Sequence, residues 1–387
     1  MTLTLELRNY MKIAHPGEKI SKPGYLKQRM KLNPEAFSHL YHFHNKNFYA
    51  DGGYKTYNGY LVLAADGSTI LLPTTEETLE TYGTSSRKNT KPQAALGLAC
   101  LYDVLNRMLL ESDCQRCKFD EMTIAEAQLD RVRDTIGNTQ PYLVVMDRGY
   151  PSAPAFIRMM DKGIFFLSRL KSSDFKREQA AMSSSDEWVE IALDKTRARH
   201  YMDTEIGNRM LALGSIHLRM VKVVLNNEQE EVLLTNLPND TFATSQFAEL
   251  YHLRWGIETA FETLKSRLQL ENFTGTKIPL ILQDIFSTIY VSNLAQDIIL
   301  EAEAELDKKD ISYKHKMAIN QTISIGILKN DLIFIIMESD SEKKNILFQN
   351  LYDEISCNLI PVRPDRQYSR MNGNLAAKYS ISHKRAF

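Results

Sequence analysis

Short apolar runs that stop at a polar or charged residue alternate along this chain with longer stretches of helical spacing. The first kind marks buried strands and the second amphipathic helices. Residues 59–65 (GYLVLAA) run apolar into Asp66, Gly67 and Ser68 read as a turn, and residues 69–72 (TILL) resume before Pro73. This pattern predicts a hairpin whose first strand ends at a carboxylate. Residues 95–102 predict another strand. Residues 141–146 (PYLVVM) predict a buried strand ending at Asp147, with Arg148, Gly149, Tyr150 and Pro151 as the following turn, and residues 164–168 predict one more. Ile124, Ala127, Leu129 and Val132 recur at helical intervals within residues 121–136, and residues 153–160 form a shorter helix of the same kind. From residue 244 to 269 the apolar positions Phe247, Leu250, Ile257, Phe261, Leu264 and Leu268 predict one long amphipathic helix, and residues 278–305 predict a second.

Strands, a helix, a strand closing on a carboxylate, a helix and another strand, in that order, suit an RNase H-like α/β core. Between residues 171 and 240 the texture changes to short β-like runs parted by polar turns, which reads as a β-rich insertion within the catalytic domain, between the second aspartate and the long helix. The expected organisation is a short, partly helical N-terminal region (1–55), the core's first part (56–170), the insertion (171–240), the core's second part (241–306) and a C-terminal helical region with a basic tail (307–387). Pro34, Glu35, Ala36 and Phe37 after Asn33 mark a helix start in the first of these.

Composition narrows the functional classes. No run approaches the ~18 to 20 apolar residues that a membrane span needs, and the first ten residues lack a signal-peptide pattern, so a cytoplasmic protein without a membrane partner is expected. Cys100, Cys114, Cys117 and Cys357 make no disulfide framework; the CxxC of Cys114 and Cys117 has no second pair or nearby histidine and reads as two loop thiols. The 47 Lys and Arg balance 48 Asp and Glu, so any nucleic-acid function rests on local patches. Two stand out: Arg169, Lys171, Lys176 and Arg177, and a tail from Arg363 carrying Arg366, Arg370, Lys378, Lys384 and Arg385.

Two divalent ions about 3.5 to 4 Å apart serve phosphodiester cleavage and transfer well, one at the attacking oxygen and one at the leaving oxygen. A few carboxylates brought together hold such ions. Asp66 and Asp147 sit at strand ends that a sheet can set side by side, although a strand-terminal Asp is common in α/β proteins. On a wheel of about 100° per residue with Glu258 at zero, Tyr251, Arg254 and Lys265 fall within one stripe about 60° wide. An i, i+4 pair such as Arg254 with Glu258 is also an ordinary surface ion pair. Yet Trp255, Ile257 and Phe261 flank the stripe and suggest a partly buried helix, where charges need partners. Glu262, one turn on, is a rival third carboxylate that the wheel leaves open. His252 points away from the stripe and reads as packed or exposed, and Trp255 reads more readily as core than as a stacking surface.

These motifs resemble the IS4 family of bacterial insertion-sequence transposases, DDE enzymes with a Tyr-Arg-Glu-Lys signature. That signature is matched without a gap by Tyr251, Arg254, Glu258 and Lys265 within YHLRWGIETAFETLK, and its spacing selects Glu258 over Glu262. LVLAADGSTILLP at residues 61–73 matches the first aspartate motif and VMDRGY at 145–150 the second, and the likeness continues to about residue 300. The resemblance implies that Asp66, Asp147 and Glu258 are catalytic and bind two Mg²⁺ ions, for which Mn²⁺ substitutes. It further implies that Tyr251, Arg254 and Lys265 grip DNA phosphates, Arg by a bidentate fork and Lys by a point charge. The activity it implies is cleavage and strand transfer at insertion-sequence ends. Double-stranded DNA with terminal inverted repeats and target DNA are the expected partners, with a homodimer in the DNA complex and a nucleoid-associated location when bound. Only 65 residues precede Asp66, so a reduced end-recognition region is expected. The competing readings are a domesticated or truncated nuclease and a DNA-binding descendant without chemistry. The carboxyl groups of Asp66, Asp147 and Glu258 are expected to converge.

Overall fold

The computed structural model describes residues 3–85, 91–137, 140–224, 230–308 and 314–362, and the basic tail lies outside them. The chain divides into two compact units that are not consecutive stretches. One comprises residues 37–271 and 286–296, the other residues 1–36, 272–285 and 297–387.

The first unit is built on an eight-stranded sheet ordered β3-β2-β1-β4-β5-β8-β7-β6. Its strands are β1 (Leu61–Leu71), β2 (Ala95–Asp103), β3 (Met108–Arg116), β4 (Tyr142–Met146), β5 (Phe165–Arg169), β6 (Asp186–Ala192), β7 (Ser215–Val224) and β8 (Glu230–Thr235). β1, β2 and β3 form an antiparallel meander, and β4 and β5 run parallel to β1. The helices Glu121–Ile136 and Ala153–Asp161 precede β4 and β5 and supply the long connections that parallel strands require. This is the expected RNase H-like α/β core. Every residue of β2 and β4 is buried, which is why both read as unbroken apolar runs rather than as alternating ones.

The expected hairpin at Asp66 is absent. β1 passes straight through Gly67 and Ser68, which pair with Ala99 and Leu98 of β2. Here glycine serves close approach, not a turn: a Cβ on Gly67 would meet the Phe119 ring at 2.8 Å, and one on Gly97 would meet it at 2.3 Å. One aromatic ring thus lies across two neighbouring strands that only glycine lets it reach. The third strand of the meander is instead β3, whose second half is polar and only partly buried.

The stretch between β5 and the motif helices is less purely β than its texture suggests. It holds β6, β7 and β8 together with the short helices Lys176–Ala181, Lys195–Ala198 and Glu205–Leu213. Nor do its strands form a sheet of their own. β8 pairs antiparallel with β5 through Leu167 with Thr235 and Arg169 with Leu233, so the insertion prolongs the core sheet. The buried Arg219 of β7 fastens it, donating to Asp186 at 2.7 and 2.6 Å and to the Phe242 carbonyl at 2.9 Å.

The predicted single helix over residues 244–269 is segmented. A 3₁₀ turn at Thr244–Gln246 leads into the helix Phe247–His252, the chain turns at Leu253 and Arg254, and the helix Trp255–Glu262 runs into a π-helical turn at Thr263–Arg267. Phe247, Leu250 and Tyr251 sink into a cluster with Val62, Val145, Leu167, Val221 and Leu233, which ties the first segment to β1, β4, β5, β7 and β8.

In the second unit, Arg29 from the helix Lys22–Arg29 donates to Thr274 at 2.6 Å, Asp284 at 2.9 Å and Gln283 at 3.0 Å. The helices Gln321–Met337 and Ser341–Cys357 lie between two strands, Met317–Ile319 and Leu359–Pro361, that pair with each other. The helix Ile278–Lys308, which runs through both units, passes the length and composition test for a membrane span as core helices also do, and half of its most apolar window is buried inside the protein.

Candidate active site

The sheet sets the two aspartates side by side. β1 pairs in parallel with β4 from Leu61 with Tyr142 to Ala64 with Val145, and the same register carried two residues further puts Asp66 across from Asp147. Neighbouring strands lie about 4.8 Å apart, so two carboxylates at this row repel unless cations stand between them. The β4–β5 register, ending at Met146 with Ser168, adds Arg169 as the next residue of the row.

The two carboxyl groups meet different surroundings. Burial pushes Asp66 up to about 6; the Gly67 backbone N–H, which donates to its Oδ1 at 2.8 Å, and the Arg254 charge only partly oppose this, and the Glu121 and Glu258 charges add to it. Burial acts on Asp147 in the same direction, but is outweighed by the Arg148 backbone N–H, the Arg254 and Arg169 guanidiniums and the Tyr251 hydroxyl, and the group ends below the usual carboxylate range. Tyr251 Oη donates to Asp147 Oδ1 at 3.2 Å, and Arg169 Nε lies 3.4 Å from the same oxygen.

The third acid comes from the helix Trp255–Glu262. Glu258 accepts from Arg254 Nη2 at 2.6 Å, with the arginine side chain 5% exposed and the glutamate 40%. The Arg254 charge also acts on Asp66 and Asp147, while its guanidinium is hydrogen-bonded to Glu258. Among the described residues no group of three or more His, Cys, Asp and Glu is arranged to hold a metal ion, so the full convergence expected from the sequence is not reached. The donor set itself, carboxylate oxygens from two strands and a helix, suits a hard divalent cation. Arg254 Nε is buried without a hydrogen-bond partner, so the guanidinium is not fully satisfied by the acids it faces.

The remaining signature residues lie on the same side. Tyr251 is buried against Asp147, and Lys265 donates to the Thr69 carbonyl of β1 at 2.8 Å. Lys265 comes from the π-helical turn, so the 100° wheel that placed it does not describe its true direction. The rival Glu262 is exposed, whereas Glu258 is partly buried and its charge acts on Asp66. His252 is exposed; Trp255 is exposed rather than core, with the Arg254 guanidinium 5.2 Å from its ring centre. Cys114 and Cys117 are partly buried and form no disulfide, and Cys114 stands on β3 rather than in a loop.

Sequence reasoning passed over three neighbours. Glu121, at the first turn of the helix Glu121–Ile136, acts on both Asp66 and Tyr150. Arg169 counted only as one cation of a surface patch, yet it faces Asp147 and sits 5.8 Å from the Tyr251 ring centre. Its place at the end of a strand parallel to β4 is the signal that would have found it. Glu231 of β8 binds Arg148 and Arg169, and no local pattern announces it.

The transposase DDE domain family matches residues 57–294 of this chain, a span that includes all six predicted site residues. The chain is similar to the putative transposase InsL for insertion sequence element IS186A of Escherichia coli strain K12 and to the transposase for insertion sequence element IS421 of Escherichia coli. Each is 41% identical over 68 residues, 18% of this chain and 18% of the relative. The match thus spans under a fifth of the length of these curated relatives. Among solved structures, a cryo-EM structure of the piggyBac transposase synaptic complex with hairpin DNA aligns with a TM-score of 0.42 and 10% identity, covering 79% of this chain and 59% of that one. With its family match spanning the meander, both aspartate strands and the signature helices, the chain belongs to the transposase DDE domain family.

Proposed function

We propose that this chain is a DNA transposase that cleaves and rejoins DNA strands at insertion-sequence ends, using divalent metal ions held by Asp66, Asp147 and Glu258. The observation that carries this reading is the parallel β1–β4 register, which carried two residues further puts Asp66 and Asp147 on one row of the sheet, with the Arg254 charge acting on both while its guanidinium pairs with Glu258. Two carboxylates on neighbouring strands repel each other, a concentration of negative charge for which a fold has little use without a cation to bind. Mg²⁺, with Mn²⁺ as substitute, suits the all-oxygen donor set, and two such ions would polarise the attacking and leaving oxygens of an in-line displacement.

The chain's own residues have separable tasks. Tyr251 holds the Asp147 carboxylate in place through its hydroxyl. Arg254, mostly buried and with an unpartnered Nε, is a pre-set fork for a phosphate beside the acids. Lys265 keeps its ammonium close to β1 through the Thr69 carbonyl, where a phosphate oxygen can replace that weaker acceptor. The partners are double-stranded DNA carrying terminal inverted repeats and a target DNA, with a homodimer in the DNA complex and a cytoplasmic, nucleoid-associated location.

The test is an in vitro reaction of the full chain with a labelled fragment carrying the genomic sequences that bracket its reading frame. Mg²⁺-dependent release of a 3′ hydroxyl end and its joining to a plasmid are expected, both abolished by EDTA and restored by added Mg²⁺. Binding of that fragment with no cleavage in Mg²⁺ or Mn²⁺ would contradict the proposal.

A further inference from the structure

Across β4, β5 and β8 the structure lays out a row of alternating charge beside the aspartate pair. Asp147 follows β4, Arg169 ends β5, and Glu231 lies near the start of β8, diagonal to Arg169 because Arg169 pairs with Leu233. Glu231 is buried, its side chain 5% exposed. It accepts from Arg148 Nη2 at 2.6 Å through Oε1 and again through Oε2, and Arg169 Nη1 lies 3.4 Å from its Oε1. Arg148 is the residue directly after Asp147, and Arg169 reaches Asp147 with its Nε at 3.4 Å. That contact is within ion-pair range yet is not aligned as a hydrogen bond, and the Nε atoms of both arginines are buried without a hydrogen-bond partner.

The Arg169 guanidinium therefore faces Asp147, and Glu231 draws it toward itself while also holding the Arg148 guanidinium. Without that counter-charge Arg169 would place an uncompensated positive charge next to a carboxylate proposed to bind a divalent cation. Arg169 would be free to close on Asp147 as a bidentate pair. Both effects oppose metal binding: one by repulsion, the other by competition for the same oxygens.

We infer that Glu231 is a positioning residue for the Asp147 side of the metal site: from the inserted part of the sheet it shares the Arg169 guanidinium and keeps it from closing on Asp147, leaving that carboxylate open to a divalent cation. The insertion thereby contributes directly to the chemistry of the core. This inference rests on the reading of Asp147 as a metal ligand, and its test separates the two.

Mn²⁺ binding to the full-length chain is titrated by the electron paramagnetic resonance signal of free Mn²⁺, without DNA and without turnover. Four proteins are compared: wild type, Asp147→Asn, Glu231→Gln and the double variant Arg169→Gln/Glu231→Gln. Glu231→Gln should bind Mn²⁺ about tenfold more weakly, the scale set by one added charge close to the site at an intermediate dielectric. The double variant has the wild-type charge balance and lacks the competing guanidinium, so its affinity should return to within about threefold of wild type. Because removing both partners of a buried pair can itself restore stability, a purely structural role would make the affinity of each variant follow its melting temperature, whereas the positioning role changes affinity independently of it. Unchanged affinity in Glu231→Gln, or no recovery in the double variant, would overturn the inference. If Asp147→Asn binds Mn²⁺ as wild type does, the assignment of Asp147 as a ligand fails instead. Far-UV circular dichroism and thermal melting of each variant establish that folded protein is being titrated.

Discussion

The middle of β1 and the end of β4 hold the same side chain at the same row of one sheet, and they make opposite environments of it. Asp66, flanked by Glu121 and Glu258 and helped by little beyond one backbone N–H and the Arg254 charge, is pushed up to about 6 by burial. Asp147 feels burial as well, yet the Arg148 backbone N–H, two guanidiniums and the Tyr251 hydroxyl take it below the usual carboxylate range. The contrast shows that a carboxylate's position on a sheet does not set its charge state; the placement of arginines around it does. In the proposed metal site it also divides the labour of the two aspartates. Asp147 stands ionised before any metal arrives, whereas Asp66 gains most from one.

The largest expected disturbance of this contrast is Arg254→Ala, which removes the guanidinium that pairs with Glu258 and whose charge acts on both Asp66 and Asp147. Leaving a partly buried acid cluster without its counter-charge should cost about 3 kcal/mol of metal-free stability at pH 7.5, measured by urea denaturation. DNA-end binding should weaken, and its dependence on salt should fall by about one counterion. Unchanged stability and an unchanged salt slope would mean that Arg254 is a surface residue in function, whatever its burial.

A smaller effect tests the two aspartates against each other. The folded-state value of Asp66 is raised, so this group favours the folded state where it is protonated and penalises it increasingly as pH rises from the unfolded value toward about 6. Asp66→Asn should therefore stabilise the metal-free protein at pH 7.5, by roughly 1–2 kcal/mol once residual solvent contact is allowed for, and the gain should vanish below about pH 4. Asp147 is lowered, so its contribution is present above the unfolded value and lost as pH falls through the folded one. Asp147→Asn should accordingly destabilise at pH 7.5. Thermal melts in EDTA across pH 4 to 8 measure both, and the same sign for the two variants would break the contrast.

Much of this site was legible in the sequence because its parts are local. An apolar run of strand length ending at Asp147, and Tyr251, Arg254 and Glu258 at helical intervals, need no knowledge of the remote chain. What failed was decided at a distance. Gly67 and Ser68 look like a turn, and only the Phe119 ring, some fifty residues away in the chain, explains a glycine inside a continuous strand. The long helix is periodic in sequence, but its turn at Leu253 and Arg254 and its π-helical end answer to packing on the sheet. The joining of β8 to β5 spans more than sixty residues and leaves no trace in local periodicity, so neither the prolonged sheet nor the role of Glu231 could be read. Which family the chain belongs to was legible for a third reason: three short motifs in a fixed order survive where overall identity does not.

The central claim is that Glu258, with the two strand aspartates, makes a cation-dependent cleavage site, and the sharpest single measurement compares Glu258→Gln with Glu262→Gln. Both substitutions keep the side chain's size and remove one negative charge, and they lie one helical turn apart, partly buried beside Arg254 and exposed, respectively. The quantity is the Mg²⁺-dependent cleavage rate on the DNA-end fragment, with affinity for that fragment measured in parallel. Glu258→Gln should lower the rate by about a thousandfold or more, with DNA affinity held or raised, because a negative charge near phosphate has gone and a metal ligand with it. Glu262→Gln should cleave at close to the wild-type rate. Near-normal cleavage by Glu258→Gln, or an equal loss in Glu262→Gln, would contradict the account.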